Sequence, residues 1–345
     1  MCMSEAEGGQ RCAAHTRPRY EQASPGSPDW FDIARDYAST SEGHAQLTAE
    51  VAEARLFGDH AREARLRAAL LRGETLRAAN AETVRLLGAT TRQRRLTSEE
   101  TDQVRNEFGV ATEQVLRDHA VSHILGALAD MRGAEQLIFF GGTALSRTFL
   151  PLLRLSEDLD LLADGPRAEL AGRIEQIVAR RLARSHGTVT WSPSLADTKG
   201  SDSAVLGVGE RIRIRVQLLT ADGYPAWPTR PHRLVQRYSD APAATMRTLT
   251  APAFVASKAS AWLDRHTPRD LYDLWALGEH GHITPEADDL FKHLGPTHGH
   301  VQPWMFDTAP AEDAWQDALG HQGIVRITAA KALAEVKEMW KRAAQ

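Results

Sequence analysis

Two aspartates separated by one leucine, Asp158 and Asp160, sit inside an apolar run downstream of a glycine turn at Gly141 and Gly142. The turn itself closes another apolar run, Leu137-Ile138-Phe139-Phe140. Side chains alternate along a strand, so Asp158 and Asp160 share one face while Leu159 and Leu161 point to the other. Two neighbouring carboxylates repel, and both are costly to bury unless a cation joins them. Divalent metals held by such carboxylates serve in-line phosphoryl or nucleotidyl displacement. The alternative is an exposed acidic edge strand with no chemistry.

The longer string adds Thr143, Arg154 and Ser156 to the glycines and aspartates. Together they resemble the AbiEii/MenT family of bacterial toxin nucleotidyltransferases, within the nucleotidyltransferase superfamily. In that family GGT-x-L, a spacer and R-x-S-x-D-x-D recur together. The resemblance covers roughly residues 112–290 and implies an α+β fold, with a small mixed β-sheet flanked by helices. It implies Mg²⁺ (or Mn²⁺) as cofactor, held by Asp158 and Asp160, and an NTP as substrate. Gly141, Gly142, Thr143, Arg154, Ser156 and Lys258 are then the nucleotide-binding residues. A cognate antitoxin is the implied protein partner.

A second segment carries the same resemblance. Lys258 on one helix is followed by Arg269, Asp270 and Asp273, an R-D-x-x-D-L motif opening the next. The resemblance makes Lys258 a triphosphate contact and Asp270 a later acidic catalytic residue beside Asp158 and Asp160. Asp273 lies one turn beyond Asp270 and is expected to pair with Arg265 or Arg269. Arg117 and Asp118 stand where the family has a basic-acidic pair before the glycine motif. One position departs from the family. Where a third carboxylate is usual on a later strand, this chain has Gln217, a neutral amide.

Composition narrows the class further. At 345 residues, 42% apolar and 25% charged, the chain has enough apolar content for a buried core. A net charge of −4 gives no global attraction to nucleic acid, so any RNA contact needs a local basic face. A groove of Arg213, Arg215, Arg230, Arg233 and Arg237 would supply one. The two cysteines, Cys2 and Cys12, give neither a disulfide framework nor zinc spacing. No apolar run is long enough to span a bilayer, and no signal region opens the chain, so the cytoplasm is the expected compartment. His280, His282, His293, His298 and His300 fall in a polar stretch and read as surface loop.

Along the chain, residues 1–28 read as a disordered tail and 29–111 as a helical extension with an arginine-rich face. Thr97 to Glu100 fits a capping box, and Thr112 is expected to cap the next helix. The core is expected over 112–240, with short strands near 188–191 and 204–208. The alternation from Arg211 to Leu219 predicts a half-buried strand with Gln217 on its polar face. Residues 241–345 read as helices that complete the site.

The leading reading is transfer of NMP from an NTP to an RNA 3′ end, with the tRNA acceptor stem as target, blocking translation. The alternatives are a protein or small-molecule acceptor, or an NTP-binding regulatory protein with little turnover. Phosphorylation of Ser156, adding about −2 charge beside the aspartates, would switch such a site off.

Overall fold

The structure is a computed structural model and describes residues 28–38, 40–56, 59–87, 96–183 and 185–343. Residues 1–27 of the expected tail lie outside the described residues, as do Arg92, Arg94 and Arg95. The chain divides into compact units at 1–92 and 93–345.

The first unit contains α1 (Pro28–Ala38), α2 (Ser41–Leu56) and α3 (His60–Leu87). They close over a small core of Trp30, Ala34, Ala38, Leu47, Ala54, Leu66 and Ala69. Small residues dominate that list, so these helices approach closely.

The second unit opens with α4 (Ser98–Phe108) and α5 (Thr112–Ala129). Thr97 accepts from the Glu100 amide while the Glu100 carboxylate accepts from the Thr97 amide, which makes the expected capping box. Gly109, at φ 67°, ends α4. The helix expected to be capped by Thr112 is instead capped at Ala111, whose extended backbone carries no side-chain hydrogen bond. Thr112 is already helical there. Helix α4 packs with Leu155 and Tyr238 of the second unit through Val104 and Phe108.

The remaining elements are β1 (Leu137–Phe140), α6 (Gly141–Ser146), β2 (Leu159–Ala163), α7 (Arg167–Leu182), β3 (Val189–Ser192), β4 (Ser203–Val208), β5 (Ile212–Thr220), β6 (Thr229–Arg233) and β7 (Thr245–Leu249). Five helices follow: α8 (Ala251–Arg265), α9 (Pro268–Glu279), α10 (Pro285–Leu294), α11 (Glu312–Leu319) and α12 (Ala329–Ala343). The seven strands form one mixed sheet in the order β3-β4-β5-β2-β1-β7-β6. β2 runs antiparallel to β1 and parallel to β5.

Alternation in β5 explains its place. Ile214, Val216 and Leu218 are buried against the core, whereas Arg213 and Arg215 are exposed. Leu159 and Leu161 of β2 are fully buried in the same core. The opposite, polar face of β2 and β5 is therefore left for chemistry.

Candidate active site

The register puts the expected residues side by side. Asp160 pairs across β2 with Phe140 at the end of β1 and with Gln217 on β5. Asp158 immediately precedes β2, which begins at Leu159. Gly141 follows Phe140 directly, at φ 76°, a conformation L side chains rarely adopt. A Cβ at Gly141 would stand 2.0 Å from Asp160 Oδ2. The glycine is thus required by two independent constraints, its backbone conformation and the carboxylate against it. At Gly142 a Cβ would meet Arg154 Nη2 at 2.9 Å.

The electrostatics of the two aspartates are unusual. Burial, then the neighbouring Asp158, pushes the Asp160 carboxyl up to about 6, against the pull of Lys258, Arg265 and Arg215. Burial also raises Asp158, opposed by Arg215 and Arg269. Burial and Asp160 push the Tyr224 phenol up to about 12. Two half-buried carboxylates, both raised by burial and one of them further by the other, with oxygen donors only, have the chemistry of a site for a hard divalent cation such as Mg²⁺ or Mn²⁺. Asp158 and Asp160 therefore fit the metal that the motif implies.

The second motif has another character. Lys258 and Asp270 are buried, with Lys258 Nζ 3.0 Å from Asp270 Oδ1 and 2.7 Å from Asp273 Oδ2. Arg265 donates to Asp270 through Nε at 2.7 Å and Nη2 at 3.0 Å. The Thr267 hydroxyl also donates to Asp270. These cations outweigh burial and hold the Asp270 carboxyl well below the usual carboxylate range. Arg154 grips Asp273 with a bidentate pair, Nε to Oδ1 at 3.0 Å and Nη2 to Oδ2 at 2.9 Å. Asp273, expected against Arg265 or Arg269, is in fact paired with Arg154 and Lys258. Its carboxyl is lowered despite burial. Arg154 thus sits on a carboxylate 119 residues along the chain, and Asp270 sits on Lys258 and Arg265.

Thr143 and Ser156 are buried partners. Thr143 donates its hydroxyl to the Asp158 carbonyl and shares a hydrogen bond with Ser156 Oγ, tying the glycine helix to the acidic strand. Ser156 is 6% exposed, so the expected phosphorylation switch has no access to its hydroxyl in this conformation. Arg117 on α5 pairs with Glu157, beside Asp158. Gln217, opposite Asp160, donates its amide to the Ser201 carbonyl.

Two features were not read from the sequence. Arg147 is fully buried and donates to Asp118 Oδ1 at 2.8 Å, while Tyr238 donates to Asp118 Oδ2 at 3.0 Å. This hub fixes α5 against the base of α6. Its sequence signal was Asp118, singled out with Arg117 as the basic-acidic pair that the resemblance places before the glycine motif. Near it, His119, His123 and Asp240 form the one group of three or more metal-ligating side chains among the described residues. The later histidines are exposed or half-buried, with His280 stacked on His282 at 6.5 Å and His300 on Asp288 at 2.7 Å.

The five arginines that would favour RNA by forming one groove do not come together. β5, carrying Arg213 and Arg215, is separated from β6, carrying Arg230 and Arg233, by β2, β1 and β7. Arg237 is turned inward and donates to the Ser146 and Pro151 carbonyls. The sheet order, which alternation does not encode, disperses the five.

The model of the family described as nucleotidyl transferase AbiEii toxin, type IV TA system, matches residues 123–344. The chain belongs to this AbiEii family. It is a nucleotidyltransferase of the toxin type, so an enzyme rather than a regulatory nucleotide binder. MenT4, a nucleotidyltransferase toxin from Mycobacterium tuberculosis H37Rv, superposes with a TM-score of 0.55 at 21% identity, over 72% of this chain and 90% of that one. That likeness speaks to the fold. A candidate nucleotidyltransferase from H. pylori aligns at 17% identity over 68% of this chain and 96% of its own, with a TM-score of 0.41. No curated protein sequence matches. AbiEii family membership carries with it an NTP substrate and an antitoxin partner. No helix among the described residues is long and apolar enough to cross a membrane.

Proposed function

We propose that this AbiEii chain transfers NMP from an NTP to an RNA 3′ hydroxyl, with the tRNA acceptor stem as target, in a reaction dependent on Mg²⁺ or Mn²⁺. The observation that carries the donor half is the raised pair Asp158 and Asp160, with Asp160 packed against a glycine, Gly141, that admits no side chain. Asp158 and Asp160 would hold the cation, which when bound polarises the triphosphate and lowers the pKa of the attacking hydroxyl. Gly141 and Gly142 leave backbone amides open to phosphate oxygens. Lys258 and Arg265 face Asp160, and the exposed Arg215 and Arg269 lie near Asp158, so positive charge meets the charge that builds on the leaving pyrophosphate. Asp270 and Asp273 orient Lys258 and Arg265, and Arg154, Thr143 and Ser156 brace the turn. The cytoplasm, where NTP and tRNA coexist, is the compartment this reading requires.

The acceptor rests on the family resemblance. Dispersal of the five arginines favours a second reading, nucleotidyl transfer to a protein hydroxyl or a small molecule.

Purified protein incubated with Mg²⁺, each α-³²P-labelled NTP in turn and total bacterial RNA, then resolved on a denaturing gel, tests both. Label in the tRNA band, lost in Asp158→Ala, is the expected result. Label on protein with none in RNA would overturn the RNA reading and support the second. No label anywhere would overturn both.

A further inference from the structure

Helix α5 carries His119 and His123 one turn apart on a single face. Asp240, in the connection between β6 and β7, reaches that face. Its Oδ1 lies 2.9 Å from His119 Nε2, and its Oδ2 lies 3.3 Å from His123 Nε2. Nε2 of His123 is buried, and its contact with Asp240 lacks the geometry of a well-formed hydrogen bond. A third imidazole, His186 in the connection between α7 and β3, places its Nε2 3.1 Å from His119 Nδ1. The three ring centres stand 4.7, 4.9 and 4.9 Å apart.

We propose that His119, His123 and Asp240 form a site for a divalent transition-metal ion of the zinc class, separate from the catalytic aspartates. Two imidazoles and one carboxylate, with atoms converging within 4.8 Å, match the donor set such an ion takes. Ligands about 2.0–2.1 Å from a tetrahedral ion stand roughly 3.3 Å from each other, close to the spacing of Asp240 and His123. The ion supplies the directed bond that the His123 Nε2 contact with Asp240 does not make. Imidazole nitrogens select against Mg²⁺ and Ca²⁺, which take oxygen ligands, and so distinguish this site from Asp158 and Asp160.

His186 has a different part. With Nε2 of His119 on the metal, its Nδ1 carries the proton and donates to His186 Nε2, which fixes the tautomer and the ring. His186 is therefore a positioning residue. The ion would join α5 to the β6–β7 connection directly and to the α7–β3 connection through His186. Tyr238, two residues before Asp240, and Asp118, one before His119, bind each other, so the clip lies beside the hub that anchors α6.

The test uses full-length protein stripped with EDTA and titrated with Co²⁺, read by its visible d–d absorption, and with Zn²⁺ against a chromophoric chelator. The wild type should take one equivalent with submicromolar affinity, and Zn²⁺ should raise its Tm. His123→Ala should abolish both effects, as should the nearly isosteric Asp240→Asn, which covers the case in which the alanine variant fails to fold. His186→Ala should weaken affinity about tenfold to a hundredfold without abolishing binding. The double variant Asp158→Asn/Asp160→Asn should bind like the wild type. An EDTA-stripped wild type that takes up no equivalent of either ion would overturn the proposal. So would binding that survives in Asp240→Asn and vanishes in the double variant.

Discussion

Replacing Asp160 with asparagine should make the metal-free protein more stable while removing its activity. The wild-type carboxyl is moved from its ordinary 3.8 to about 6, chiefly by burial and then by Asp158. That difference disfavours the ionised form by roughly 3 kcal/mol. Because the side chain is only half-buried, solvent and counter-ions recover part of it, leaving about 1–2 kcal/mol. The sign follows from the proton. A folded-state value above the unfolded one means the stabilising contribution is present in full below pH 4. It is lost as pH rises through 6 and gone by pH 8. Asparagine resembles the protonated acid at every pH, so its advantage is greatest at pH 8 and shrinks toward pH 4.

Thermal unfolding in EDTA at pH 8, with the variant beside the wild type, measures this directly. For a unit of this size the expected rise in Tm is about 3–6 °C. Added Mg²⁺ should raise the wild type and leave the variant nearly unmoved, closing the gap. A variant no more stable at pH 8, or one whose advantage is constant from pH 5 to pH 8, would refute the view that Asp160 is an uncompensated carboxylate awaiting a cation. Retention of nucleotidyl transfer would refute its place in the site.

Gly141→Ala should cost about 1–3 kcal/mol in urea unfolding from backbone strain alone. It should also abolish transfer, because its Cβ enters the position of Asp160 Oδ2; a fully active alanine variant would disprove the packing. Arg154→Met leaves Asp273 buried with only Lys258, and should destabilise by about 3–5 kcal/mol in denaturant titration. A loss under 1 kcal/mol would show that the pair contributes little. Arg269→Ala, at an exposed position near Asp158, should raise the KM for NTP several-fold with little change in Tm, read by steady-state pyrophosphate release. An unchanged KM would remove Arg269 from the donor site.

What the sequence revealed was local in origin. Period-two alternation located β5 and its polar face, and the Asp158-Leu159-Asp160 spacing located the acidic strand. The Thr97 and Glu100 pair located the start of α4, because both partners of a capping box lie within one turn. The hidden parts depend on contacts between distant residues. Arg154 with Asp273, Arg147 with Asp118 and His119 with Asp240 are each joined only when the sheet brings their elements together. The arginine groove failed for the same reason in reverse. Arg215 and Arg230 are close in sequence, but β2, β1 and β7 are inserted between their strands. Thr112 shows the limit of capping rules, since backbone dihedrals, which begin the helix one residue earlier, decide which residue is the cap.

The four acidic residues assigned to this site divide by their surroundings. Asp270 and Asp273 are lowered, because Lys258, Arg265 and Arg154 outweigh the burial of each. Asp158 and Asp160 are raised, because burial, joined at Asp160 by the neighbouring Asp158, outweighs the pull of the cations near them. A carboxylate whose charge is satisfied within the protein positions other groups and has little to offer a metal. A carboxylate whose charge is unsatisfied destabilises the fold until a cation arrives. The motif residues therefore serve two purposes that their sequence conceals. Asp270 and Asp273 hold Lys258 and Arg265 in place beside Asp160, and Asp158 and Asp160 keep the unmet negative charge that draws the catalytic cation.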